Sequence, residues 1–196
     1  MSPTRLETFA DGVFAIAATL LILNVDGAKG SVTSIWPAYV AYAVSFLTIG
    51  IIWVNHHTVM NQFDRVDRRF LFLNILLLMC VAFVPFPTRL IAEHVRGDGL
   101  EGPALVYGAT MTVMSIAYLS LWLYGVRRLL RADADPRTIR GITRSYLPGT
   151  WIYLGSTLVA FVSPLASVVG FGLIALFYVV ESSLFGGRSP SSTIAG

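Results

Sequence analysis

The chain has 196 residues, of which 55% are apolar and only 13% charged, with a mean hydropathy of +0.70. Soluble chains carry about 25% charged residues, so a water-facing surface cannot be covered here, and a chain this apolar does not stay disordered. One cysteine, Cys80, excludes an internal disulfide framework and a cysteine-based zinc cluster; the net charge of +3 reads as membrane topology rather than nucleic-acid binding, because the arginines sit between apolar segments.

Apolar stretches of about 20 residues, the length that crosses a ~30 Å hydrocarbon core, recur along the sequence. They cover 5–25, 35–54 with an extension towards 61, 70–91, 104–126, 146–162 and 165–184. Ser163 and Pro164 separate the last two, since proline ends one helix and opens the next. The expected fold is therefore all-α: a polytopic membrane protein with six transmembrane helices, forming a single domain over 1–185. The Ser-, Gly- and Pro-rich tail 186–196 reads as a disordered cytoplasmic extension.

Charge orients the bundle. Arg5, the cluster Arg65, Arg68 and Arg69, the run Arg127, Arg128, Arg131, Arg137, Arg140 and Arg144, and Arg188 all fall on one side of a six-span arrangement. Only Lys29, Arg89 and Arg96 fall on the other. The positive-inside rule puts both termini in the cytoplasm. Could the first stretch be a cleaved leader? Its uninterrupted apolar part, 12–25, has h-region length, but Glu7 and Asp11 stand where a positive n-region belongs and no small-x-small cleavage site follows.

The first span carries the unusual chemistry. Phe9, Gly12, Ile16, Thr19 and Leu23 follow a 3-4-3-4 spacing and share one face, with Leu20 on its border. Charged groups embedded in a membrane helix face the protein interior or water. By helical rise Asp11 lies ~9 Å inward of Arg5, and His56 and His57 end the second span at the same depth. Arg5, Asp11, His56 and His57 can therefore meet. Three readings stay open: an interhelical polar clamp, a protonatable relay, or a metal site, which adjacent histidines pointing ~100° apart serve poorly. Asn74 lies inside the third span, and Pro85 and Pro87 break or bend its outer end. Glu181 is the remaining embedded acid, near the cytoplasmic end of the sixth. No Thr-Val-Gly-Tyr-Gly filter, Walker loop, nucleophile elbow or His-Glu-x-x-His motif is present, so neither catalysis nor a resident cofactor is expected.

The run Arg5-x-x-x-Phe9-Ala10-Asp11-Gly12-Val13-Phe14-Ala15-Ile16-Ala17 resembles the signature of the transmembrane protein 175 family, with Ala10 in place of the motif serine. The resemblance continues through Trp53-x-x-His56-His57, through Asp67 and Leu73-Asn74-Ile75-Leu76-Leu77-Leu78, and into Pro85-Phe86-Pro87-Thr88. It implies a potassium-permeable cation channel of the cell membrane without a pore loop, built as a homotetramer whose first helices line the pore. It further implies a hydrophobic constriction at Ile16, with Leu20 and Leu23 lining the outer pore, and a contribution of Thr19 to ion selectivity. Arg5, Asp11, His56 and His57 would form a structural network. No metal other than permeant potassium and no nucleic-acid partner are implied. The competing reading from residues alone is a proton-coupled secondary transporter using Asp11, His56 and His57; a membrane scaffold without transport is a third.

Overall fold

A computed structural model describes residues 3–26 and 35–185, residues 26 and 181–185 by backbone alone. The side chain of Glu181, together with Lys29, Arg188 and the expected tail 186–196, lies outside the described residues. The fold is all-α: α1 (Pro3–Leu20), α2 (Leu23–Asp26), α3 (Trp36–Met60), α4 (Arg68–Phe83), α5 (Pro85–His94), α6 (Glu101–Arg128), α7 (Pro136–Val159) and α8 (Pro164–Phe185). Among the described residues, four helical segments are long and apolar enough to cross a membrane: Pro3–Val25, Trp36–Met60, Arg68–His94 and Glu101–Arg128.

Two boundaries differ from the sequence reading, and a third matches it. The first span is not one helix: α1 stops at Leu20, and single-turn bonds from the Ile22 amide to the Thr19 carbonyl (3.3 Å) and from the Asn24 amide to the Leu21 carbonyl (3.1 Å) lead into α2. The third span is interrupted at Val84, where the sequence places the break, because Pro85 and Pro87 offer no amide to the preceding turn. Polar side chains stitch this break. Asn24 Nδ2 donates to the Pro85 carbonyl at 2.9 Å, the Thr88 hydroxyl to the Val84 carbonyl at 2.8 Å, and Ser45 Oγ lies 2.8 Å from Thr88 Oγ1.

The second difference is α7, the helix of the fifth apolar stretch. It starts at Pro136, ten residues before the apolar stretch, so Arg137, Arg140 and Arg144 lie on its first turns rather than in a loop. Asp135 caps it, accepting from the Arg137 amide (3.0 Å) and the Thr138 amide (3.2 Å). Proline at the first helical position costs no hydrogen bond. These caps hold the Asp135 carboxyl below the usual carboxylate range.

The long helix α6 is the hub, packed against α4, α5, α7 and α8. Its Met111, Leu121 and Trp122 are fully buried. Small and hydroxylated side chains bring α7 close, as membrane helices require when lipid is as apolar as leucine. Thr112 and Thr157 meet at 3.1 Å, Ser115 and Thr150 at 2.9 Å, and Trp122 Nε1 donates to Thr143 Oγ1 at 2.9 Å.

At the arginine-rich end the two inter-helix loops are tied together. Phe63 and Leu130 form an isolated antiparallel bridge, and the Arg131 amide donates to the Gln62 carbonyl at 3.0 Å. Asp67 caps α4, accepting from the Tyr124 hydroxyl of α6 and from the Phe70 amide at 2.9 Å. The Tyr124 bond first, then the Phe70 amide, lowers its carboxyl below the ordinary range.

Candidate functional site

Helix α1 is packed on one side only. Leu6, Ala10, Phe14, Ala17 and Leu21 recur every three or four residues and are buried against α3 and α4. The other side carries Phe9, Gly12, Ile16, Thr19 and Leu20, followed past the break by Leu23 at the start of α2, all exposed on the single chain. Ile16 is 61% and Leu23 60% accessible. Such a stripe of large apolar side chains on a soluble monomer would mark an interaction surface; on a membrane helix it faces lipid, a neighbour or a pathway. The stripe is interrupted by one hydroxyl. Thr19 Oγ1 donates to the carbonyls of Ile16 (2.9 Å) and Ala15 (3.0 Å). Its only proton is thereby used inside the helix, and the oxygen lone pairs are what it presents outward.

Ala10, which stands where the family motif has serine, is fully buried. A methyl there leaves no hydroxyl to satisfy.

The four charged and imidazole residues expected to meet are dispersed over different partners. Trp53 Nε1 of α3 donates to Asp11 Oδ1 at 2.7 Å. His56 is buried, its Nε2 lies 2.7 Å from Asn74 Oδ1 of α4, and its ring packs on Phe14 at 5.6 Å. His57 Nδ1 lies 3.6 Å from Glu7 Oε1 of α1. Arg5 is exposed, without a bonded partner among the described residues. The Asp11–Trp53 and Glu7–His57 contacts put Asp11 and the histidine end of α3 side by side, while Arg5 joins neither. Rotation about α3 then sends neighbouring histidines ~100° apart, one to α4 and the other to α1. Trp53, Asn74 and Glu7 complete the three links. Trp53 could have been chosen from sequence, since it precedes His57 by one turn and shares its side of α3.

No group of three or more His, Cys, Asp or Glu side chains able to hold a metal is found among the described residues. The His56–Asn74 pair is structural in its geometry. Leucine at position 56 should lower stability by about 1–3 kcal/mol, because it strands the buried Asn74 amide. The double replacement His56→Leu/Asn74→Leu should cost less than the sum of the single ones, measured by thermal unfolding in detergent. Additive losses would remove the pair from the account.

Beside the open face of α1, an apolar groove of roughly 660 Å³ runs between α1 and α3. Ala15, Ala18 and Gly50 keep its wall low, and Asp11 and Trp53 border it.

The fold and this site define a multi-pass helical membrane protein whose first helix keeps an apolar, hydroxyl-bearing face uncovered. The family model described as the endosomal/lysosomal potassium channel TMEM175 matches residues 5–85. A potassium channel of Streptomyces collinus is 43% identical over 185 residues, covering 89% of this chain and 90% of its own length. One from Chamaesiphon minutus is 37% identical over 191 residues, covering 91% and 94%. The crystal structure of a lysosomal potassium-selective channel TMEM175 homolog from Chamaesiphon minutus superposes with a TM-score of 0.83 at 35% identity, over 92% of this chain and 97% of that one. The chain belongs to the TMEM175 family. The two bacterial relatives are named as channels, not enzymes.

Proposed function

We propose that this protein is a potassium-permeable cation channel of the cell membrane in which four copies place α1 around one central pathway. The uncovered face of α1 carries this reading: the opposite face is fully packed, and its own helices leave Phe9, Ile16, Thr19, Leu20 and Leu23 open. The groove floored by Ala15, Ala18 and Gly50 has the small-residue lining against which a helix of a neighbouring copy packs closely. The names of the bacterial relatives supply the ion. At ~1.5 Å per residue the 22 residues of α8 reach across a ~30 Å core, and α7, with 24, crosses with its arginine-bearing first turns at the headgroup level. That makes six spans with both termini on the arginine-rich, cytoplasmic side.

The mechanism needs neither pore loop nor cofactor. Four Ile16 side chains converging on the axis form a collar too apolar to hold water when narrow, and an ion cannot shed its hydration into such a wall. A small tilt or rotation of α1 widens and wets it. One turn further along, four Thr19 oxygens, their protons committed to backbone carbonyls, offer a ring of acceptors that partly replaces the ion's water. Leu20 and Leu23 keep the rest of the path apolar. The links of α1 to α3 through Asp11–Trp53 and Glu7–His57 set the rotation of the pore helix. A relay through Asp11, His56 and His57, as a proton-coupled transporter needs, has less support, because these groups are each engaged with a different partner.

Recording from the purified protein in a planar bilayer under a potassium gradient tests the proposal. Unitary current steps that need no coupled ion are expected. Saturable, pH-driven exchange without steps would replace the channel by a transporter, and silence under all gradients would leave a scaffold. In the same recordings Thr19→Val should lower the potassium-to-sodium permeability ratio read from reversal potentials. The isostere keeps the volume and removes the oxygen, so an unchanged ratio would take Thr19 out of the ion's path.

A further inference from the structure

We infer that the arginine-rich end of this protein holds the phosphate of an anionic phospholipid in a pocket formed where α4 begins and α6 ends. The pocket is open, roughly 580 Å³, and is lined by Arg65, Arg68, Arg69 and Arg128 with Asp67 and Tyr124. The four guanidinium groups outweigh one carboxylate, and that carboxylate is already engaged by the Tyr124 hydroxyl and the Phe70 amide. Asp64, the other acid of this loop, faces Arg131 at 3.5 Å. Among the described residues Arg65, Arg69 and Arg128 have no carboxylate within ion-pair distance. A concave cluster of planar, bidentate donors suits a phosphate better than a chloride or a lone carboxylate.

Two observations favour a lipid over a free phosphate. First, the pocket sits at the ends of the membrane-spanning segments Arg68–His94 and Glu101–Arg128, the level of the headgroups. Basic pockets between helices at this depth are the sequence-readable form of anionic-lipid recognition. Second, an uncovered apolar stripe leads away from the pocket along α4: Phe72, Ile75, Met79 and Phe83 follow a 3-4-4 spacing and are each at least 44% accessible. Arg68 lies over the Phe72 ring at 5.7 Å, joining the charged pocket to the stripe. A headgroup in the pocket would lay its acyl chain on these side chains, and a soluble anion would make no use of them. The proposal does not depend on the channel reading; it needs only the membrane.

The test uses the full-length protein in mixed micelles holding equal phosphatidylglycerol and phosphatidylcholine, with retained lipids counted by native mass spectrometry. Wild type should keep phosphatidylglycerol in preference. The triple replacement R65Q/R69Q/R128Q should reduce that preference at least about tenfold, the removal of three interfacial cations. The triple replacement R137Q/R140Q/R144Q deletes the same charge from the start of α7 and should leave the preference intact. Equal loss in both variants would reduce the effect to general surface charge and overturn the site, as would an unchanged ratio in the pocket variant. If the triple variant does not fold, Arg69→Gln and Arg128→Gln singly carry the same test, each with a several-fold drop expected. Inorganic phosphate is the second arm: thermal stabilisation by it equal to that by phosphatidylglycerol would make the ligand a free anion and defeat the lipid assignment.

Discussion

Replacing Ile16 by asparagine should raise the unitary potassium flux about tenfold. The figure corresponds to a barrier lower by only ~1.4 kcal/mol, spread over four side chains. That is a modest demand on a change that turns an apolar collar into eight hydrogen-bonding groups or more. Asparagine is smaller than isoleucine as well as polar, so Ile16→Thr and Ile16→Val separate the two effects: threonine, close to valine in size but hydroxylated, should raise the flux more than valine if wetting controls it. Ile16→Leu keeps the collar apolar and should leave the flux near wild type. Ile16 is also exposed on the single chain, so none of these substitutions creates a cavity or strands a buried group, and all the variants should assemble. Current unchanged by asparagine would move the constriction elsewhere on α1, with Leu20 and Leu23 next in line. Current raised equally by leucine would make side-chain shape, not hydration, the controlling property.

Four of the spans were legible because apolar runs of bilayer length leave little room for another fold, and the open face of α1 because 3-4 spacing fixes which residues stand together. The start of α7 was hidden by its own function. Arg137, Arg140 and Arg144 belong to water or headgroups, so hydropathy began the span at residue 146, yet helix continuity is set by caps. Asp135 followed by Pro136 is a helix start that hydropathy does not see. Interhelical partners were harder to read. Depth along a helix follows from residue count, and so Asp11, His56 and His57 were placed at one level. Which neighbour each one meets depends on the rotation of α3 between α1 and α4, which is decided by packing of Phe14, Ile49 and the other buried apolar residues. Periodicity within one helix contains no term for that angle. The basic pocket was likewise divided in sequence, its arginines appearing as two separate topology signals at 65–69 and 127–128 until the ends of α4 and α6 met.

Gly125→Ala should destabilise the protein although it improves helix propensity, and the sign makes the prediction sharp. In an open helical position, glycine to alanine stabilises by up to about 1 kcal/mol. At Gly125 a β-carbon would stand closer than 3.0 Å to three ring carbons of Phe63, where ordinary carbon contacts are ~3.5–4.0 Å. The ring cannot swing aside cheaply, because Phe70 and Trp122 hold it at centroid distances of 5.3 Å and 6.1 Å and it is buried. Overpacking of this kind costs about 1–3 kcal/mol, and a chain of this size loses ~2–4 °C of melting temperature per kcal/mol. Gly141 provides the opposite case on α7: nothing lies within 4 Å of its would-be β-carbon, so Gly141→Ala should be neutral or stabilising in the same thermal assay. Combining Gly125→Ala with Phe63→Leu should cost less than the two changes summed, since the smaller side chain vacates the contested space. The contact has consequences beyond stability. Phe63 closes the loop after α3, and one to two turns back along that helix lie His56 and His57, which dock α3 on α4 and α1. Pushing the ring away therefore loosens the end of the helix that sets the rotation of α1. A Gly125→Ala protein that melts as late as wild type would show that the α6 backbone yields, and that this junction does not hold the helices in register.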